Sequence, residues 1–315
     1  MKYLSPKSLR KILFESIEEL VQNKASYVRN PTDHSRTRKL SFKTIINTIL
    51  QISGGSINNE LLTFFYCSET TPTAAAFVQQ RSKILPTAFE DLLNSFTDKA
   101  DPHETYKNYR ILAIDGSDLH VPTNPQDKES YFPRKNDQRP YNLLHLNALY
   151  NVYGKIYIDT IIQKSRNSNE NKALIDMVDR NNKTDATLII ADRGYESYNA
   201  LAHIQEKGWK FLFRIKDADS RGGIANGLDL PQSDEYDILI DLHLSAGRTQ
   251  EHWELYKNKN TYKRISHPEN FDFFINESGE RDVLMFYHLP FRILKIKLSN
   301  ETYETIITNL SAEDF

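Results

Sequence analysis

Two short apolar runs end in an aspartate with a glycine close behind: Arg110-Ile111-Leu112-Ala113-Ile114-Asp115-Gly116 and Thr187-Leu188-Ile189-Ile190-Ala191-Asp192-Arg193-Gly194. Apolar runs without alternation suit strands buried on both faces of a sheet. Between them lies room for a hairpin, Leu143 to Asn151 and Lys155 to Ile162 around Val152-Tyr153-Gly154, and for a helix from about Asn169 to Arg180. Another helix, capped by Ser197 and stopped at Gly208, leads to the strand Lys210-Phe211-Leu212-Phe213-Arg214-Ile215. Strands alternating with helices at this spacing predict an α/β mixed sheet covered on both faces, with the two aspartate-bearing strands side by side.

The first hundred residues follow a different period. Ser5-Pro6 is a good start for a helix with Leu9, Ile12, Leu13, Ile17, Leu20 and Val21 on one face. Ser41 opens a second, Ile57 to about Tyr66 and Thr73 to Ile84 make two more, and Pro86 begins another. Residues 1–100 therefore read as a small helical domain, and the polar stretch from Asp98 to Asn108 as the boundary before a second domain at 108–315. Beyond Lys216 come short strands, Tyr236 to Leu242, Trp253 to Tyr256, Phe271 to Ile275, Val283 to His288 and Arg292 to Leu298, read as a β-rich insertion at about 217–300. The core then resumes with Glu304 to Thr308.

A lone Asp-Gly is a turn former. Two, each ending an apolar strand, also read as a pair of carboxylates delivered to one edge of a sheet, where backbones are fixed and side chains converge. Asp115 and Asp192 as hard oxygen ligands suit Mg²⁺ or Mn²⁺, and such a pair suits metal-assisted phosphoryl chemistry. Other chemistries lack their motifs. No histidine pair at helical spacing flanks a glutamate, and neither a phosphate-binding Gly-x-x-x-x-Gly-Lys nor a Gly-x-Ser-x-Gly elbow occurs. His120, His145 and His203 read as polar or packed residues, and Cys67, the single cysteine, as core within a helical stretch.

With 40 basic and 42 acidic side chains the net charge is −2, which does not announce a nucleic-acid binder. Basic residues still cluster, Arg36, Arg38 and Lys39 with Arg29, and Arg134 and Lys135 with Arg139. They are either solvated loop charges or phosphate contacts. The N-terminus lacks an apolar leader core and no apolar run spans a membrane, so a cytoplasmic chain is expected.

Ala113-Ile114-Asp115-Gly116-Ser117, and Leu188 to Tyr195 followed by a helix and Phe211-Leu212-Phe213-Arg214-Ile215-Lys216, resemble the first- and second-aspartate regions of the insertion-sequence-four group of DDE transposases. Asn169-Glu170, the β-rich insertion, Ile306-Ile307-Thr308-Asn309-Leu310 and Ala76-Phe77-Val78-Gln79-Gln80-Arg81 fit the same group. The resemblance implies a ribonuclease H-like core in which two aspartates and a glutamate bind two Mg²⁺ or Mn²⁺ ions, cut double-stranded DNA at transposon ends and join it to a target. It also implies work as a homodimer on DNA, away from membranes. Asp115 and Asp192 take the aspartate roles, with Asp118 as fallback for the first and Arg193 as a DNA contact beside the second. The group's glutamate motif, Tyr-x-x-Arg-x-x-x-Glu, is absent: Tyr131 and Arg134 are followed by Gln138. The final catalytic helix is therefore expected to be missing and the chain as it stands inactive or incomplete; the other account recruits Glu170 or Asp159 as third ligand. A non-catalytic DNA-binding remnant and a nuclease with an in-chain third acid stand as alternatives.

Overall fold

In the computed structural model the chain forms two compact units, Met1–Pro102 and His103–Phe315. The described residues are 4–36, 38–101, 104–135, 138–183, 185–217, 220, 222–276, 278–299 and 302–314.

The first unit holds α1 (Pro6–Gln22), α2 (Phe42–Gln51), α3 (Ile57–Phe64), α4 (Ala74–Arg81) and α5 (Thr87–Ala100). Hydroxyls start four of them: Ser5, Ser41, Ser56 and Thr73 each accept the amide N–H three residues on, satisfying a donor the helix cannot. Ile17, Leu20, Phe42, Ile45, Ile46, Leu61 and Phe77 bury their side chains together. Cys67 does not join them. The chain turns at Tyr66 and Cys67, both at φ 54°, which ends α3 at Phe64 and leaves the thiol exposed.

The second unit contains β1 (Arg110–Val121), β2 (Tyr131–Phe132), β3 (Tyr141–Asn151), β4 (Ile156–Lys164), α6 (Glu170–Arg180), β5 (Thr187–Ala191), α7 (Tyr198–Glu206), β6 (Lys210–Arg214), β7 (Tyr236–Ser245), α8 (Gln250–Leu255), β8 (Tyr262–Arg264), β9 (Tyr287–Lys297) and β10 (Tyr303–Thr308). All ten strands share one sheet in the order β2-β3-β1-β5-β6-β10-β9-β7-β8, with β4 also paired to β3. Within it, β4-β3-β1-β5-β6 has the strand order and directions expected of a ribonuclease H-like core: β1 runs antiparallel to β3 and parallel to β5, which runs parallel to β6. α6 and α7 pack on one face, where Leu174, Met177, Val178, Leu201 and Ile204 meet Leu112, Ile189, Phe211 and Phe213. The opposite face of these strands carries a smaller cluster, Ile111, Leu188 and Leu310. Both faces thus carry buried apolar residues, the larger cluster under α6 and α7.

The insertion extends the sheet through β10, which is antiparallel to both β6 and β9. Its strands differ from those expected. Trp253 lies in helix α8, started by Thr249, whose hydroxyl accepts the His252 N–H. Phe271 to Ile275 forms no strand, only a bridge from Ile275 to Arg281. Of the expected run Val283 to His288 only Tyr287 and His288 are strand, and they continue through Pro290 into the expected Arg292 run as one strand, β9. Its ladder with β10 begins only at Arg292, so the proline's missing N–H interrupts nothing on that side. No described helix is long and apolar enough to cross a membrane.

Candidate active site

Parallel pairing of β1 with β5 sets Ala113 opposite Ile190. Asp115 and Asp192 each lie two residues further on, just past the last pair between the two strands. Asp192 follows the end of β5, but Asp115 does not end its strand as expected: β1 runs on to Val121, held by its antiparallel ladder with β3. Each is oriented locally: Asp115 Oδ1 accepts the Gly116 N–H at 2.8 Å and Asp192 Oδ1 accepts the Gly194 N–H at 2.8 Å. Strand alternation starts both side chains on the face shared with Ile111 and Ile190.

A third acid reaches the same edge from the face covered by α6. Glu170 is the first residue of that helix, whose start is fixed by Asn169 accepting the Lys172 N–H at 2.9 Å. Its carboxylate occupies space that only glycines leave open. A Cβ at Gly116 would lie 2.8 Å from Glu170 Oε1, and one at Gly194 would lie 2.8 Å from Glu170 Oε2 and 3.1 Å from Asp192 Oδ1. The glycines after the aspartates are therefore more than turn formers; without a Cβ they leave room for the Glu170 carboxylate beside β1 and the turn after β5. His145 fastens it. Its Nε2 lies 3.0 Å from Glu170 Oε1 and its Nδ1 2.9 Å from Asp118 Oδ1. Beneath the acids Tyr195 is buried and donates to Asn147 Oδ1 at 3.1 Å. Burial first, then the charges of Glu170, Asp115 and Asp192, push its phenol far above the ordinary value. One buried ring thus feels all three carboxylates.

The donor set is oxygen only, the class that suits Mg²⁺ or Mn²⁺. The three carboxylates are not among the described groups whose ligand atoms all come within 4.8 Å of one another.

Other expected residues fall as follows. Asp118 serves His145, and its side chain is 55% exposed. Asp159 is gripped by Arg180, whose Nε donates at 2.8 Å, at the far end of α6 from Glu170. An 11-residue helix spans about 15 Å, so Asp159 does not reach the acid cluster. Arg193 points its Nη2 to Glu304 Oε2 at 3.3 Å, and Arg214 donates to the same carboxylate at 2.8 and 2.7 Å. Arg36 and Arg38 line a cavity of about 360 Å³ in the first unit with His34 and Lys83. Lys39 donates to Thr70. Arg134 and Lys135 are exposed between β2 and β3. His145 is the residue that sequence reasoning missed. Its signal lies in register, because β3 pairs it with Asp118, and no local motif carries that.

Glu304 permits a pH test. Hydrogen bonds from Arg214, then its charge, with Arg193 adding less, hold the Glu304 carboxyl below its ordinary value. A depressed folded-state pKa contributes stability above the unfolded value and loses it as pH falls through the folded one. Glu304→Gln is expected to cost about 1 kcal/mol at neutral pH, a discounted figure for a partly solvated cluster. In urea unfolding the gap between native and variant chains should close as pH drops below the carboxylate range; a gap constant with pH would exclude this role.

No curated protein matches the chain. Among solved structures it is similar to a piggyBac transposase in a synaptic complex with hairpin DNA, at 10% identity and a TM-score of 0.42, covering 98% of this chain and 60% of that one. The chain therefore spans less than two thirds of that neighbour's length. A family model described as "Transposase DDE domain" matches residues 106–315, the whole β1–β10 sheet with its acids, and the chain belongs to that family.

Proposed function

We propose that this chain is a DNA transposase of the insertion-sequence-four group, cutting double-stranded DNA at transposon ends and transferring the freed strand to a target in the cytoplasm. The observation that carries the reading is the placing of Asp115 and Asp192 at equivalent register, two residues past the last β1–β5 pair, with the Glu170 carboxylate over Gly116 and Gly194. These three carboxylates would hold Mg²⁺ or Mn²⁺, which when bound polarises a phosphodiester and lowers the pKa of an attacking water or hydroxyl. The chain's own residues supply position. β1 and β5 hold the aspartates on a rigid sheet, the amides of Gly116 and Gly194 orient one oxygen of each, and His145 with Asp118 holds Glu170.

Because Glu170 supplies a third acid, the reading favoured here is a working site rather than a non-catalytic remnant. Arg36, Arg38 and Lys83 around the cavity of the first unit, and Arg134 and Lys135, are proposed phosphate contacts. Arg193 is proposed to swing from Glu304 onto DNA.

The test uses duplex DNA carrying the inverted repeats that border the reading frame. Strand cleavage should require Mg²⁺ or Mn²⁺, stop in EDTA and return when Mg²⁺ is restored. Binding should weaken steeply with salt, since each neutralised phosphate releases counterions. Cleavage that persists in EDTA, or a flat salt dependence of binding, would overturn the proposal.

A further inference from the structure

A second set of donors lies in the insertion, on strands that the carboxylate site does not use. Along β7 the side chains alternate: Ile240, Leu242 and Leu244 are buried, while Asp241 is exposed and His243 half-buried on the opposite face. β9 sets His288 directly across from His243, with Leu289 and Phe291 buried beneath. The two imidazoles stack with centroids 4.8 Å apart and planes inclined at 20°. His288 Nε2 lies 2.5 Å from Asp241 Oδ1. Among the described residues this is the trio of His, Cys, Asp or Glu whose ligand atoms all come within 4.8 Å of one another.

An ordinary ion pair accounts for Asp241 and His288 alone. It does not account for His243, brought flat against His288 by register and flanked by Tyr262 at 5.6 Å. Two imidazoles and one carboxylate on one surface form a donor set of the borderline class, which takes Zn²⁺ or Co²⁺ in preference to Mg²⁺. The backbone is prepared. β7 is paired on both sides, to β8 and β9, and the buried faces of both strands are packed. Bonds of about 2.0–2.1 Å around one ion need donor atoms about 3.4 Å apart, which small side-chain rotations on a fixed sheet can supply. Side chains of His288 and Asp241 are 53% and 65% exposed, so an ion has an open approach and a fourth position for water.

We propose that Asp241, His243 and His288 form a transition-metal site, separate in place and in ligand class from the carboxylate site, that clamps β7 to β9. The probes are Co²⁺ and Zn²⁺, on the full chain carrying Asp115→Asn and Asp192→Asn to remove the oxygen site. One equivalent of Co²⁺ should bind with visible ligand-field bands, and Zn²⁺ should displace it and raise the melting temperature. With His243→Ala or His288→Ala added, the bands and the Zn²⁺ shift should vanish, while circular dichroism in EDTA stays unchanged. Should a variant fail to fold, the histidine-intact chain decides: Zn²⁺ must protect His243 and His288 from diethylpyrocarbonate, read by mass spectrometry. Absence of Co²⁺ binding, bands that persist in the histidine variants, or lack of protection would overturn the site.

Discussion

Asp192→Asn is expected to slow metal-dependent cleavage of end DNA by about 10³-fold, Asp115→Asn by a similar factor, and Glu170→Gln by at least about 10²-fold. A bound ion stabilises several kcal/mol of developing charge, and each 1.4 kcal/mol or so is tenfold in rate. The replacements keep size and remove charge, so the fold should persist. Melting in EDTA should therefore show each variant folded with a cooperative transition close to the native one, while single-turnover cleavage falls. Native cleavage by Asp192→Asn would sink the transposase reading. Native cleavage by Glu170→Gln, with both aspartate variants dead, would remove only the third ligand.

That contrast separates what local sequence can carry from what it cannot. Asp115 and Asp192 stand out because an apolar run before an acid is a local pattern, and one parallel pairing then sets the two at equivalent register; that β1 continues past Asp115 to Val121 is not legible in that pattern. Glu170 has no such grammar. It opens a polar first helical turn, where an acid is favoured for the helix dipole alone. Only the three-dimensional approach of α6 to Gly116 and Gly194 distinguishes it. His145 is harder still, since its meaning depends on β3 facing Asp118 across a ladder. The same limit governs the insertion. Trp253 to Tyr256 is too short for a period to separate strand from helix, and the Thr249 cap decides for helix. Pro290 reads as a break, yet it sits in β9 before the ladder with β10 begins. Cys67 reads as apolar and is turned out by a left-handed backbone, which no side-chain pattern encodes.

The glycines give the prediction that isolates geometry from charge. Gly116→Ala and Gly194→Ala should each lower cleavage by about 10-fold to 10²-fold, the scale of a displaced supporting group at a metal site, because the flexible end of Glu170 must shift. A methyl at either position would lie 2.8 Å from a Glu170 oxygen, and at Gly116 also 2.7 Å from His145 Nε2. Neither glycine has a left-handed backbone, so strain of the main chain is not the cause. Gly208 supplies the opposite case. It has φ +72° with nothing within 4 Å of an added Cβ, so Gly208→Ala should cost about 1 kcal/mol of stability and leave cleavage intact. A double-mutant cycle completes the separation, because interacting sites are non-additive. Gly194→Ala should destabilise the native chain in EDTA and have little effect once Glu170→Ala has emptied the space. If Gly194→Ala costs the same in both backgrounds, the glycine and Glu170 do not share that space, and the third carboxylate loses its seat.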